Sequence, residues 1–497
     1  MHYTNFHGQK QGLLPNYLLV IIIYKLFCLV FQKNIFVIQI FNLNQMELPV
    51  LISLCIGIII MLFMLLATFT LMLEKAYRGA IISFIFSIIL PIPFFISLFI
   101  SHIGIFYVPY ATLSIISFIL VIFLFNRKKQ KFAPQTPIIQ FDERQTMFSR
   151  NELKVDSDRF KAYYKENPEH KVKDDIWRSK PGLLSSESVF YHPSTFAAAK
   201  ASFLAIEKLG PHIKGEPASN KKPTDPMQLS TFVKKWLKKQ GMASVGITEM
   251  HSYHYYHTKG RRDTYNSKVT TKYPYGIAFT IEMDEQMMQA APKGSAIMES
   301  AEKYLKSGVP AVQLAYFIRE MGYNAQAHID GNYEVVCPLV AKDAGLGEIG
   351  RMGLLMTPKL GPRVRIAVVT TDAPLVPDKE TDIAHSMNEF CHYCKKCANV
   401  CPSKSIPHDG RKIQDKVLRW KIDSESCFTY WQTVGTDCGR CMAVCPYAHA
   451  NNWLHNFIRF GIKHSYLFRR LAVVLDDVFY GKKPPIKKMP KWIETRN

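Results

Sequence analysis

The sequence predicts an α+β protein in several parts, with transmembrane helices in its N-terminal quarter. Three observations support this prediction. Long uncharged apolar runs lie before residue 126, short apolar segments alternate with helical patterns in the middle of the chain, and eight of the 11 cysteines lie between Cys391 and Cys445. With 497 residues, 48% hydrophobic and 21% charged, the chain is too apolar to be disordered or fibrous.

The chain is strongly basic. It carries 62 Lys and Arg against 40 Asp and Glu, a formal net charge of +22 at pH 7. This charge favours an anionic partner, either a membrane surface or nucleic acid, and does not choose between them. The cysteines are too few for a disulfide scaffold, and their crowding into one segment indicates a metal site assembled in a reducing compartment.

Residues 46–126 are predicted to form a membrane anchor of three transmembrane helices. The 26 residues between Glu47 and Glu74 are all uncharged. At about 1.5 Å per residue they span roughly 39 Å, more than the roughly 30 Å hydrocarbon core of a bilayer. Two further apolar runs cover residues 79–100, where two prolines should kink the helix, and residues 103–125. Buried helices of a soluble core are the alternative, but three such runs in succession leave no polar face for water.

Positive charge predicts which side of the membrane the remainder of the chain occupies. Arg127, Lys128, Lys129 and Lys131 follow the third run, so the remainder is expected to face the cytoplasm from the inner membrane. Residues 1–45 form an N-terminal extension with one more, interrupted apolar stretch, and Met46 is an alternative start of translation. The two Arg-Arg pairs lie at 261–262 and 469–470, so we expect no twin-arginine export signal.

Residues 127–385 are predicted to contain a basic, proline-containing linker and then an α/β domain. Apolar segments at 236–237 with 245–247, at 277–281, at 335–340 and at 364–370 are interpreted as short buried strands. Helices fall between them. The clearest covers residues 309–321, with Pro310 in its first turn and its apolar residues on one face.

The most specific motif lies in residues 386–455. Its first half is Cys391-x2-Cys394-x2-Cys397-x3-Cys401-Pro402, the run with which bacterial ferredoxins bind [4Fe-4S] cubes. The second half is Cys427-x10-Cys438-x2-Cys441-x3-Cys445-Pro446, which repeats the pattern with its first cysteine displaced upstream. Two cubes need eight thiolates, and the segment supplies eight, so a bacterial ferredoxin-like domain with two [4Fe-4S] clusters is predicted.

The crossed ligand pattern of ferredoxins predicts which cysteines share a cube. The first quartet is Cys391, Cys394, Cys397 and Cys445, and the second quartet is Cys401, Cys427, Cys438 and Cys441. The long spacer after Cys427 makes it the least regular ligand. Zinc is the alternative, although zinc sites use sets of four ligands and lack the Cys-Pro signature. The remaining cysteines, Cys28, Cys55 and Cys337, lie in apolar segments and are interpreted as small core residues.

A glycine motif precedes the cysteines. Gly345-x-Gly347-x-x-Gly350 matches the dinucleotide fingerprint. A nicotinamide site is rejected, because Pro358 and the Gly361-Pro362 pair stop any helix within about two turns, and that fingerprint requires a full crossover helix. Two interpretations are left: a tight turn where backbone approaches the phosphate tail of another cofactor, or a plain tight turn.

From about residue 251 to the C-terminus, the order of several motifs resembles the reductive dehalogenases. These motifs include His254-Tyr-Tyr-His257, Ile281-Glu-Met-Asp284, Phe317-Ile-Arg319, the glycine motif, Gly361-Pro-Arg363-Val-Arg365, both cysteine sets, Asn452-Trp-Leu-His455, Phe468-Arg-Arg470 and Asp476-Asp-Val-Phe-Tyr480. The resemblance implies a nitroreductase-like α/β domain that binds a corrinoid, cobalamin, and two [4Fe-4S] clusters that feed it electrons. It implies reductive cleavage of a carbon–halogen bond in an organohalide, and it assigns the bond cleavage to the cobalt of the corrinoid.

The resemblance also implies roles for particular residues. The family uses a tyrosine as proton donor beside a cationic or amide side chain, and Tyr304 matches that tyrosine. Arg363 is the predicted cation, with Arg365 on the same face of the strand as the alternative, and Asn332 is a further polar group of the pocket. The residues predicted to hold the cofactor are His254, Tyr255, His257, Gly345, Gly347 and Gly350.

The N-terminus departs from the family pattern. Respiratory reductive dehalogenases usually carry a twin-arginine signal and are held by a separate membrane protein, whereas this chain is predicted to carry its own anchor. Membrane lipid is therefore an expected partner, with an electron-donor protein or a quinol-linked donor as the source of electrons. The lysines of the C-terminal extension, residues 456–497, also suit anionic lipid.

Two other functions are left open. Epoxyqueuosine reductases modify tRNA with the same cofactors, and a net charge of +22 could attract RNA. Those enzymes are soluble, however, and much of the basic excess here flanks apolar runs or lies near the C-terminus, so no nucleic acid partner is expected. The second alternative is a membrane electron-transfer protein that uses the clusters without a corrinoid.

Overall fold

The computed structural model describes residues 48–96, 111, 139–379, 383–414 and 417–494. The chain divides into two compact units, one formed by residues 1–72 and 80–119 and the other by residues 73–79 and 120–497. The predictions for residues 1–45 lie outside the described residues.

The first unit is built from apolar helices: α1 covers Leu48–Leu73, α2 Tyr77–Ile89 and α3 Ile92–Ile96. The Ser53 hydroxyl donates to the Phe94 carbonyl at 3.1 Å, and the Ser83 hydroxyl donates to the Met64 carbonyl at 3.0 Å. These bonds join α1 to the two helices that follow it. Pro91 lies between α2 and α3, where the predicted interruption occurs.

Two of the three predicted membrane runs are present as helices. Val50–Leu73 and Tyr77–Phe95 are long and apolar enough to cross a membrane, a property that core helices and signal sequences share. The third run, residues 103–125, falls outside the described residues except at position 111.

The second unit begins its globular part with five helices. They are α4 Met147–Asn151, α5 Asp158–Glu166, α6 Pro168–Arg178, α7 Pro193–Glu207 and α8 Pro226–Lys239. Some of these helices have short polar caps, for example Ser157 before α5 and Asp225 before α8, each of which accepts from a backbone N–H of the first turn.

An antiparallel sheet in the order β1-β2-β6-β3 forms the core of the second unit. The strands are β1 Ser244–Glu249, β2 Tyr275–Glu282, β3 Ala325–His328, β4 Glu348–Ile349, β5 Leu355–Met356 and β6 Val364–Thr371, with β4 and β5 forming a separate hairpin. The predicted strands at 245–247, 277–281 and 364–370 are confirmed. The result is a mixed helix and sheet fold, as predicted.

Two strand predictions are wrong. Residues 236–237 lie in α8, because the apolar residues of that segment repeat with the helical period on its buried side. Residues 335–340 contain the start of α11, Cys337–Asp343, with Pro338 in its first turn. The short strand β3 carries no alternating pattern, since all four of its residues are buried, and the sequence did not reveal it.

The short helix α9 covers Glu285–Gln289, and the long helix α10 covers Gly294–Glu320, so the predicted helix 309–321 is only the C-terminal half of α10. Pro310 lies in the helix interior rather than in the first turn. Its missing hydrogen bond is tolerated because α10 packs along α7 and along the sheet, where Ala311, Leu314 and Ile318 are buried. Tyr304 therefore belongs to the middle of a long helix.

The cysteine-rich part follows the sheet. Its elements are α12 Ile383–Cys394, α13 Lys396–Val400, β7 Lys412–Gln414, β8 Val417–Arg419, α14 Ser424–Val434, α15 Arg440–Ala443, α16 Trp453–His464 and α17 Tyr466–Tyr480. One apolar cluster joins this part to α10 through methionines, for example Met288, Met352 and Met442. Cys397 and Cys445 lie inside that cluster, and Cys394, Cys401 and Cys441 pack against it.

Candidate active site and iron-sulfur centres

The first cysteine quartet surrounds a cavity. Cys391, Cys394, Cys397 and Cys445 line a small pocket, and its other walls are Arg351, Met352, Met356, Phe390, Lys395 and Pro446. Cys445 comes from the far end of the segment and reaches the three closely spaced cysteines, as the crossed pattern requires. Burial raises the pKa of Cys445, and the charges of the other three thiols raise it further.

Arg351 brings a positive charge to this cavity. It is fully buried, its Nε donates to the Cys391 carbonyl at 3.0 Å, and its guanidinium carbon lies 4.9 Å from the centre of the Trp420 ring. A fixed cation beside thiolates compensates part of the charge that four deprotonated cysteines bring into a buried site.

The second cysteine quartet is also brought together. Burial raises the pKa of Cys427 and of Cys438 to about 12, and in both cases the charge of Cys401 adds to the effect. Burial also raises the pKa of Cys441, and the charges of Cys438, Cys427 and Cys401 raise it further. Cys427, which the spacing made least regular, therefore lies with the other three, because α14 carries it back across the ten-residue spacer.

The chemistry of both quartets fits an iron-sulfur cube. Among the described residues, no three His, Cys, Asp or Glu side chains are placed to hold a single metal ion, whereas the four cysteines of the first quartet line one pocket. Thiols of raised pKa are protonated at neutral pH, so cluster binding would have to displace those protons.

The three glycines of the predicted cofactor motif have packing roles. Gly345 ends α11 with φ of +75°, a left-handed conformation that glycine adopts without strain. A Cβ at Gly347 would lie 2.1 Å from the Met356 carbonyl oxygen, and one at Gly350 would lie 2.7 Å from Met356 Cγ. The glycines therefore allow the β4–β5 hairpin to close beside the first quartet. Both the plain-turn and the phosphate-tail interpretations stay predictions, and no helix lies between residues 350 and 364, all of which are described.

Two of the aromatic residues predicted to hold the cofactor are engaged inside the protein. His254 Nε2 lies 2.9 Å from the Asp343 carboxylate, and its Nδ1 accepts from the His251 backbone at 3.0 Å. The Tyr255 hydroxyl exchanges hydrogen bonds of 2.9 Å with the backbone of Tyr273. These bonds occupy the polar atoms of His254 and Tyr255, and a role of either residue in holding a cofactor stays a prediction. His257, whose Nδ1 lies 2.9 Å from the Thr258 hydroxyl, stays a prediction.

Tyr304 carries a guanidinium over its ring. The guanidinium carbon of Arg365 lies 4.8 Å from the ring centre. The same guanidinium donates to the Asp437 carboxylate at 2.7 Å and to the Ser300 hydroxyl. Burial raises the pKa of Tyr304, and the charge of Arg365 acts in the opposite direction by stabilising the phenolate.

The sequence-based preference for Arg363 is corrected to Arg365. Arg363 donates to the Ala448 carbonyl at 3.0 Å, to the Glu282 carboxylate at 2.8 Å and to the Met283 carbonyl. Strand alternation does not relate the two arginines, because Arg363 belongs to the turn before β6, which begins at Val364.

Several polar residues near Tyr304 carried no signal in the sequence. Asp437 and Ser300 hold Arg365, and Asp330 and Tyr333 come from the segment after β3. Burial raises the pKa of Asp330, and the charges of Arg261 and Arg365 oppose that rise. Burial also raises the pKa of Tyr333, and the charges of Asp330 and Tyr304 add to it. The Asn332 amide, predicted to line the pocket, lies 3.4 Å from the Asp330 carbonyl.

Two buried polar atoms of this cluster have no hydrogen-bond partner among the described residues: Arg365 Nε and Asp437 Oδ1. An orphaned donor and an orphaned acceptor, both beside Tyr304, fit a ligand that carries polar groups of its own.

Taken together, the structure joins a mixed helix and sheet domain to a segment in which two cysteine quartets come together. A family of 4Fe-4S dicluster domains matches residues 390–449. The chain is 39% identical over 221 residues to a tetrachloroethene reductive dehalogenase of Sulfurospirillum multivorans, covering 43% of each chain. This chain is therefore similar to the reductive dehalogenases over part of their length, and the resemblance stated from the sequence is confirmed.

Two solved structures share part of this fold. The catabolic reductive dehalogenase NpRdhA in complex with 3-bromo-4-hydroxybenzoic acid aligns with a TM-score of 0.53 and 25% identity, covering 58% of this chain and 42% of that one. A second reductive dehalogenase, described with a mechanism for B12-dependent dehalogenation, aligns with a TM-score of 0.54 and 24% identity, covering 64% and 47%. The matched region spans less than half the length of these relatives.

Proposed function

We propose that this chain is a membrane-anchored, corrinoid-dependent reductive dehalogenase. One observation carries the proposal: in a fold related to the reductive dehalogenases, Tyr304 lies under the Arg365 guanidinium in the same unit as two converging cysteine quartets. The substrate is an organohalide, consistent with the relatives named for tetrachloroethene and for a bromo-hydroxybenzoate ligand.

The two quartets would hold the clusters that pass electrons from an external donor to the site. Each quartet binds one [4Fe-4S] cluster in the crossed pattern. The charge of Cys441, in the second quartet, raises the pKa of Cys397, in the first, which supports two neighbouring sites. Neighbouring clusters form a path for single electrons toward the site at Tyr304.

Tyr304 donates the proton that the reaction consumes. Burial keeps its phenol protonated at neutral pH, and the Arg365 cation stabilises the phenolate left behind. Asp437 and Ser300 hold Arg365 in place over the ring. Asn332 and Tyr333 stay as candidates for contact with the substrate.

A corrinoid, when bound, supplies the reduced cobalt that cleaves the carbon–halogen bond. The protein groups that fit it are the orphaned Arg365 Nε and Asp437 Oδ1, together with His257. Their role is to bind and orient polar groups of the ligand beside Tyr304.

The apolar helices α1 and α2 hold the enzyme at the inner membrane with its second unit in the cytoplasm. Their length and composition support this, as does the cluster of cations after residue 126. The electron donor is then a quinol-linked or protein donor at the membrane.

Metal analysis of the purified, anaerobically reconstituted chain tests the proposal. About one cobalt and eight iron per chain, with halide release from an organohalide, are expected. Iron without cobalt would identify an electron-transfer protein instead. Cobalt and iron with activity only on a queuosine-precursor tRNA would identify an epoxyqueuosine reductase.

The proton donor is tested by Tyr304→Phe. This variant should retain cobalt and iron and lose halide release by about 10²- to 10⁴-fold. Tyr316→Phe is the matched control, because Tyr316 lies on the same helix and is exposed. Turnover near the wild-type rate in Tyr304→Phe would remove Tyr304 from the mechanism.

A further inference from the structure

The two C-terminal helices expose an apolar face that the proposed chemistry does not use. On α17, Leu467, Leu471, Val474 and Val478 follow one another at intervals of four, three and four residues, which places them on one side of the helix. Val474 is 58% exposed, and on α16 Phe460 is 60% exposed. The opposite side of α17 is buried through Arg469, Ala472 and Asp476.

The turn between α1 and α2 forms hydrogen bonds with α16 and α17. Glu74, the residue after α1, lies 3.0 Å from His455 Nε2 of α16 and accepts from the Tyr480 hydroxyl of α17 at 3.2 Å. Arg78 donates to the Val478 carbonyl at 3.0 Å. If α1 and α2 span a membrane, as proposed above, this turn lies where the chain leaves it, and these bonds hold the start of α16 and the end of α17 beside the turn.

The surroundings of the apolar face are basic. Residues 453–497 contain ten Lys and Arg against three Asp and Glu. Exposed cations include Lys463 on α16, Arg470 on α17 and, just beyond α17, Lys482, Lys483 and Lys488. Apolar side chains flanked by exposed cations are the pattern of helices that lie in the plane of an anionic membrane surface.

We propose that the α16–α17 face, formed by Phe460, Leu467, Leu471, Val474 and Val478, lies on the surface of a bilayer that contains anionic phospholipid. The apolar side chains enter the boundary between headgroups and acyl chains, and the flanking lysines contact lipid phosphates. This inference rests on the proposed membrane anchor and adds a second, interfacial contact to it.

The docking would also set the position of the first cysteine quartet. Lys396, which lies between Cys394 and Cys397 in the sequence, pairs with Asp476 and with Asp477 on the side of α17 away from the apolar face. A single helix layer would thus separate the quartet from the lipid surface, a favourable arrangement for a donor in the membrane.

Site-specific photo-cross-linking of the full chain in nanodiscs tests this inference. A photoreactive amino acid is placed at Val474, at Ile413 on β7 as a control that is 78% exposed, and at Ile59 on α1 as a report on the anchor itself. Nanodiscs contain phosphatidylcholine with or without phosphatidylglycerol. We expect lipid adducts from positions 474 and 59 but not from 413, with a higher yield at 474 when phosphatidylglycerol is present.

The outcomes separate the inference from the anchor. Lipid adducts at 59 without adducts at 474 would overturn the docking and leave the anchor standing, whereas no adduct at 59 would refute the anchor. Equal lipid adducts at 474 and 413, or adducts from 474 to a second copy of the chain, would also overturn the docking. The paired substitution Lys482→Glu and Lys483→Glu should lower the yield at 474 several-fold and leave the yield at 59 unchanged, and an unchanged yield at 474 would refute the role of these cations.

Discussion

Replacing Arg365 by methionine separates its structural role from its chemical role. Arg365 and Asp437 form a buried pair with an N–O distance of 2.7 Å, and only 14% and 9% of the two side chains are exposed. Removal of one partner leaves the Asp437 carboxylate buried, uncompensated and already short of one partner at Oδ1. Breaking a buried pair in this way costs roughly 3–5 kcal/mol, so we expect Arg365→Met to lose about that much stability.

The double variant Arg365→Met with Asp437→Asn removes both charges. It should regain most of the lost stability, because no buried charge is left unpaired. In both variants, the rate of halide release should be about 10²- to 10⁴-fold below the wild-type rate, because Tyr304 has lost the cation that stabilises its phenolate. Arg365→Lys, which keeps the charge, should be less impaired.

The measurements are urea unfolding followed by tryptophan fluorescence and halide release under anaerobic conditions. Arg363→Met is the contrast, because Arg363 is also buried and paired but with Glu282. A solvent isotope effect on halide release should change in Arg365→Met and not in Arg363→Met. The reasoning is refuted if the double variant is no more stable than Arg365→Met, or if its halide release recovers together with its stability.

Three further predictions follow from other parts of the structure. Cys445→Ser should remove the cluster of the first quartet and leave that of the second, so the iron content should fall by about half. Cys337→Ser is the control and should leave the iron content unchanged. Loss of the second cluster instead, measured by electron paramagnetic resonance, would contradict the crossed pattern. Burial tends to raise the pKa of Glu334, but its bonds to Lys214 and Lys259 outweigh burial and lower it to about 2. The stability from this carboxylate is therefore present above pH about 4.5 and lost as the pH falls toward 2, so Glu334→Gln should cost about 1–3 kcal/mol at pH 7 and little near pH 2, and an equal cost in urea unfolding at both pH values would refute this. Gly347→Ala should cost about 1–3 kcal/mol in the same assay, because its Cβ would meet the Met356 carbonyl at 2.1 Å; a wild-type midpoint would show that the hairpin can shift.

Local spacing was enough where the chemistry is local. The cysteine runs predicted an iron-sulfur domain because a cube needs thiolates from a short loop, and the uncharged run before residue 74 predicted a long apolar helix because no charged residue interrupts it. The strands at 245–247, 277–281 and 364–370 were visible because each is a continuous apolar segment that both sheet neighbours and helices bury.

Tertiary packing decided what the local pattern left open. Pro310 indicated the start of a helix, but burial of α10 against the sheet extends that helix to Gly294 and places Tyr304 in its middle. Residues 335–340 have the composition of a strand, yet α11 begins among them at Cys337, with Pro338 in its first turn. Local propensity is worth tenths of a kcal/mol per residue, and such differences are overridden by packing.

The sequence by itself determined the kind of protein: apolar N-terminal helices, a mixed sheet and helix domain, and eight cysteines in the order that iron-sulfur clusters require. Only the tertiary structure decided which side chains meet. It gave Tyr304 the cation Arg365 rather than Arg363, joined Asp437 from beside Cys438 to that pair, and assigned the glycines to a hairpin. The physical reason is that contacts between residues more than 60 positions apart depend on how the sheet, α10 and the cysteine segment pack, and no short-range pattern records that packing.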